Sequence, residues 1–152
     1  MKRTLLILFF STISFGQVST SYSWEDGTGT ILGSYYEVSN PMNVGATAGV
    51  NPYEGSRMLS VSESPNNGNT PQAYVAFIEN LDPGDVVTAS FYGWDENPNG
   101  SPSLRAWGWY VSNGDINDEQ GSAGGGDETY TSCDGCWDQV EQTWTIASGK
   151  EA

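Results

Sequence analysis

Aromatic and hydrogen-bonding side chains recur at alternate positions in two neighbouring stretches of this chain. Tyr92 and Trp94 close the first, DVVTASFYGW; Arg105, Trp107 and Trp109 sit in the second, SLRAWGWYV; Gln72 and Tyr74 stand upstream in QAYVAFIE. Rings of this kind stack on the apolar C–H faces of sugars, while amide and guanidinium groups bond sugar hydroxyls. The same rings also fill cores, because each buries a large apolar area.

Three further patterns could do chemistry. Asp95-Glu96-Asn97-Pro98-Asn99-Gly100 places oxygen ligands at positions 1, 3 and 5 and glycine at 6, the first half of a calcium loop; Ala106 occupies position 12, where a glutamate would complete it. Asn113-Gly114-Asp115-Ile116-Asn117-Asp118-Glu119 is a weaker variant of the same pattern. An ordinary Asn/Gly turn explains either run equally simply. Cys133-Asp134-Gly135-Cys136 has the spacing of a thiol oxidoreductase. Those pairs sit at a helix start beside a βαβ unit, whereas this one lies in an acidic loop, so a small structural disulfide is expected. Two cysteines and no histidine do not complete a zinc site.

The absence of histidine removes Ser-His-Asp and Cys-His catalysis together. Two carboxylates suffice for a glycosidase, but no pair is placed at a catalytic separation by sequence alone. A non-catalytic role is therefore expected.

The elements that must position these groups read as strands. Val87, Ala89 and Phe91 alternate with Val86, Thr88, Ser90, Tyr92 and Trp94; Leu104, Ala106, Gly108 and Tyr110 alternate with Arg105, Trp107, Trp109 and Val111. Small and aliphatic side chains suit an interior, leaving the aromatics with Arg105 outside. If the two strands pair directly, Tyr92 falls opposite Arg105 and Ser90 opposite Trp107; if they lie in different sheets, only the alternation survives.

Further strands are expected at Tyr22–Gly27, Thr30–Val38, Gly55–Val61, Gln72–Glu79 (Ala73, Val75 and Phe77 on one face) and Trp137–Ile146 (Val140, Trp144 and Ile146 inward). Asn40–Glu54 and Ser112–Asp127, poor in apolar anchors, read as loops. Leu81-Asp82-Pro83-Gly84-Asp85 has Pro-Gly chemistry for a type II turn. Trp24, Trp137 and Trp144 are assigned to packing.

Residues 1–16 have the order of a signal peptide: Lys2 and Arg3, the apolar run Leu5–Phe10, then Ser11, Ser14 and Gly16. Cleavage near Gly16–Gln17 and export follow, and the apolar run is too short to span a bilayer. The remaining 17–152 is one domain's length, and its eighteen glycines with no long period-3.6 stripe indicate an all-β class. After cleavage, Arg57, Arg105 and Lys150 alone oppose nineteen carboxylates. Such a field repels nucleic acid and anionic membranes, whose binding rests on Lys and Arg. It suits cations, neutral ligands, or solubility alone.

The segments SWEDG, EGSRMLSV, QAYVAFIENLDPGDVVTASFYGWD, SLRAWGWY and WDQVEQTWTI resemble, in order, the jelly-roll carbohydrate-binding modules of secreted bacterial polysaccharide enzymes. The resemblance covers roughly residues 22 to 146. It implies an antiparallel β-sandwich, a neutral or weakly charged polysaccharide as partner, and attachment to a catalytic or surface domain. It also implies a structural calcium held by Glu25 with carbonyls near Gly55 and Arg57. The closing strand of such modules, whose Asp completes that site, has no counterpart before Ala152, so the C-terminal edge is expected to be incomplete. A calcium-stabilised structural or adhesive domain is the alternative role.

Overall fold

A computed structural model of the chain describes residues 17–21, 23–25, 27, 33–35, 42–45, 49–61, 72–95 and 104–151. The signal segment read at 1–16, and Asn97 and Asn99 of the polar loop, lie outside those residues. All regular structure among the described residues is β: β1 Gly33–Tyr35, β2 Met42–Gly45, β3 Met58–Val61, β4 Gln72–Tyr74, β5 Val86–Asp95, β6 Arg105–Ser112, β7 Asp115–Tyr130 and β8 Cys136–Thr145. They pair antiparallel as β1 with β4, β2 with β3, β5 with β8, and β6 with β7.

The β5–β8 ribbon joins strands far apart in sequence, through ten consecutive partners from Val86↔Thr145 to Asp95↔Cys136 with no shift of register. Alternation is what holds that register, since a slip of one residue would turn every apolar side chain to solvent. Val87 and Val140 are buried on one face, and Val86 is 64% exposed on the other. Thr88 and Thr143 share a cross-strand hydroxyl bond of 2.8 Å on that outer face. At the ribbon's start, Gly84 has a φ of 100°, and Asp85 N–H donates to the Asp82 carbonyl at 3.0 Å. This is the expected Pro-Gly turn, in which only glycine takes the positive φ cheaply. The ladder continues past it, with Gly84 N–H on the Ile146 carbonyl and Ile146 N–H on the Asp85 carbonyl, both at 2.8 Å.

The β6–β7 hairpin turns at Asn113-Gly114, both with positive φ (55° and 69°). That conformation matches the twist of the flanking strands and favours Asn-Gly. The pair read as part of a weak oxygen-ligand run is therefore a hairpin turn. The segment 112–127, expected to be a loop, is largely β7. The glycine at its position 124 has a packing cause: Gly108 and Gly124 are register partners, and the Trp144 ring from β8 lies over both. A Cβ on Gly124 would stand 2.4 Å from that ring, and one on Gly108 2.7 Å. Trp144 thus joins the two pairs, and the glycines are what admit it.

Other expectations shift. Asn40–Glu54 contains β2, paired to β3. Gly55–Val61 is strand only from Met58. Of Tyr22–Gly27, the described residues hold no strand; Trp24 has a φ of 66°, and Gly27 N–H closes a turn on its carbonyl at 3.0 Å. Gln72–Glu79 is strand only over Gln72–Tyr74, paired with three-residue β1. Past the strand, Val75, Phe77 and Ile78 are exposed.

Cys133 and Cys136 stand at disulfide-bonding distance, with Cα atoms 5.5 Å apart, matching the expected structural pair. Their turn is tied down around them. Ser132 N–H and hydroxyl donate to Asp138 at 2.7 and 2.9 Å, Gly135 N–H donates to the Asp95 carbonyl at 2.9 Å, and buried Thr131 bonds Leu104 through both backbone and hydroxyl.

Candidate binding faces

The seven aromatic-face residues divide between the two long strand pairs. Direct pairing of β5 with β6 does not occur, so Tyr92 lies opposite Gln139 rather than Arg105.

On β6, alternation puts Arg105, Trp107 and Trp109 opposite to the Gly108 face that receives Trp144. The rings of Trp107 and Trp109 stack at 5.1 Å between centroids and 23° between planes. The Arg105 guanidinium carbon stands 4.4 Å over the Trp107 ring, within cation–π range. Trp107 Nε1–H donates to Ser122 Oγ at 2.7 Å, fixing the ring against β7.

Register shifts arrange the rest. Tyr110 pairs Gly121 while Val111 pairs Glu119, so Gln120 is an extra residue on β7. Bulges of this kind re-aim side chains. Here Glu119, Gln120 and Gly121 line a cavity of about 160 Å³ with Trp109 and Tyr74. Tyr74, brought from β4, donates its hydroxyl to Glu119 Oε1. Gln72 lies on the same short strand, half-buried. The aromatic rings with an adjoining small cavity of mixed lining place ring surface and polar groups side by side. Lys150, from beyond β8, bonds the Ser122 carbonyl and lies 5.6 Å from the Tyr110 ring. It ties that end of the chain to the same hairpin.

Tyr92 and Trp94 belong to a second cluster, on the outer face of β5–β8. Trp94 pairs Trp137 in register, with ring centroids 5.9 Å apart edge to face. Tyr53 stacks on Tyr92 at 3.7 Å and 10° and meets Trp137 edge-on at 6.1 Å. Trp137 Nε1–H donates to the Asn51 carbonyl at 2.9 Å. These contacts fasten the 49–57 segment to the ribbon, while Tyr53 and Tyr92 stay 48% and 42% exposed. Sequence reasoning missed Tyr53 here, since it lies in a segment read as loop; Trp137, assigned to packing, packs on this outer face. The odd-numbered phase of β8, shared with Gln139, Glu141 and Thr143, is the signal that sets Trp137 outside.

The 49–57 segment also meets Glu25, thirty-one residues away. Glu25 accepts from Ser56 N–H at 2.9 Å, Ser56 hydroxyl at 2.9 Å and Arg57 N–H at 2.8 Å, and Gly55 leaves room for the carboxylate. The backbone N–H of Arg57, then the two donors of Ser56, hold the Glu25 carboxyl below its usual range. Proximity of Glu25 to Gly55 and Arg57 is thus present, but N–H groups rather than carbonyls face it. A calcium ion takes about six to eight oxygens, and the residues described here do not assemble such a cage. Among the described residues no group of three metal-ligating side chains occurs. Asp95, the described member of the second calcium run, ends β5 and receives the Thr131 hydroxyl at 3.4 Å.

Comparison with known protein families, curated proteins and solved structures finds no match to this chain.

Proposed function

We infer that this chain is a non-catalytic, secreted carbohydrate-binding module of the jelly-roll β-sandwich type, holding neutral or weakly charged polysaccharide on the Arg105–Trp107–Trp109 face. The observation that carries this reading is the pair of stacked, half-buried indoles beside a small cavity of mixed polar and apolar lining. Such a surface offers ring area to sugar C–H groups and oxygen partners to sugar hydroxyls. The lack of histidine and the acidic charge fit a neutral or cationic ligand held without chemistry. A module of this kind acts by keeping an attached catalytic or surface domain near insoluble substrate.

Affinity gel electrophoresis against xylan, glucan, mannan and alginate tests the reading. Retardation on a neutral polysaccharide is expected; no retardation of the folded chain on any of the four would sink it.

The fastening of Glu25 and Tyr53 around the 49–57 segment favours a second reading, a structural or adhesive domain; calcium as its stabiliser rests on the sequence resemblance and not on this contact. That reading requires a melting temperature that rises with calcium while no polysaccharide shifts it.

A further inference from the structure

The cavity beside Trp109 has a donor and acceptor inventory that narrows its occupant. Tyr74 has one hydroxyl hydrogen, and it is committed to Glu119. Gln120 directs its amide nitrogen to Asp118, at 2.9 Å to Oδ1 and 3.3 Å to the main-chain carbonyl. The Trp109 indole nitrogen is buried. What the Glu119 and Gln120 side chains leave for a ligand is acceptor capacity, a carboxylate and an amide carbonyl, beside an indole ring.

A ligand in this cavity must therefore bring donors. Neutral hydroxyls would serve, but a protonated amine brings charge as well. Its bond to a carboxylate is about twice as strong as a neutral one, and its charge is attracted to the indole ring. A uronate would meet Glu119 and a net charge of −14, while Arg105, the base of this face, is engaged over Trp107. We propose that the cavity takes a protonated primary amine of the bound glycan, the 2-amino group of an unacetylated hexosamine, between Trp109 and Glu119. This inference rests on the glycan-binding reading of the adjoining face.

Isothermal titration calorimetry with hexamers of glucosamine, N-acetylglucosamine and xylose, in mildly acidic buffer, tests it. The glucosamine hexamer is expected to bind about tenfold more tightly than its acetylated counterpart. Glu119→Gln keeps an acceptor for the Tyr74 hydroxyl and should bring that ratio near one. Tyr74→Phe frees Glu119 of its internal partner and should keep the ratio or raise it, which guards against a fold defect in the first variant. Glu141→Gln makes the same change of charge at an exposed position of β8 and should leave the ratio intact.

Equal affinity for the two amino-sugar hexamers would overturn the proposal. So would an equal loss in Glu141→Gln, which would assign the preference to the field of the whole chain. If the xylose or acetylated hexamer binds without preference for the amine, the proposal alone falls. If none of the three binds, the glycan-binding reading falls with it.

Discussion

The two long strand pairs are built on opposite plans. β5–β8 is a ladder of ten partners without interruption, while β6–β7 breaks register four times over a strand rich in glycine. The uninterrupted ladder makes a core face and an outer face whose rings are locked to a neighbouring segment. The interrupted one bends, admits Trp144 from the other ribbon, and turns Glu119 and Gln120 towards Trp109. Regularity here serves cohesion, and under the proposed function irregularity serves recognition, as bulges elsewhere gather at functional sites.

The largest expected effect comes from removing what joins the two plans. Trp144→Ala should cost about 3–5 kcal/mol, the range for a large aromatic truncated in a packed site, read as a lower midpoint in urea unfolding. Next, Gly124→Ala should cost about 1–3 kcal/mol, because its methyl would overlap the same ring. In a Trp144→Ala background that cost should largely vanish. A double-mutant cycle that comes out additive would mean that ring and glycine are not coupled.

These two residues also show how far the fold was legible. Val87, Ala89 and Phe91 alternate against Thr88, Ser90 and Tyr92 in plain text, and Pro83-Gly84 states its turn, so β5 and its entry follow from local chemistry. β7 does not: GSAGGG carries no large apolar side chain because the apolar group filling that space, Trp144, is contributed from β8. Asn113-Gly114 was the available signal for the hairpin, and reading it as part of a ligand loop hid the strand behind it. The aromatic set was identified by residue type, but its division between two faces depends on β5 choosing β8, a pairing across some fifty residues that alternation alone does not encode. Contact of Glu25 with Gly55–Arg57 followed from family resemblance, and the identity of the atoms that meet there did not.

A smaller effect separates the two aromatic clusters. Tyr92→Ala removes the stack with Tyr53 and should lower stability by about 0.5–1.5 kcal/mol, detected as earlier proteolysis within 49–57, while glycan binding is kept. An unchanged proteolysis pattern would mean that this cluster does not fasten the segment.

The smallest effect concerns pH. The Glu25 and Asp138 carboxyls are both held low, by backbone N–H of Arg57 and of Ser132 respectively. Groups depressed in the folded state stabilise it above their unfolded pKa, and that contribution is lost as pH falls through and below the ordinary carboxylate range. Melting temperature should therefore decline in that window, less steeply in Glu25→Gln. Identical slopes for the two chains would remove Glu25 from the account.

The most direct measurement of the central claim is affinity electrophoresis of the wild-type chain, Trp107→Ala and Tyr92→Ala in one neutral polysaccharide, with a melting curve for each. The account predicts retardation of wild type and Tyr92→Ala, and none for Trp107→Ala at a melting temperature close to wild type. Retardation lost in Tyr92→Ala but kept in Trp107→Ala would move the binding face to β5–β8 and contradict it.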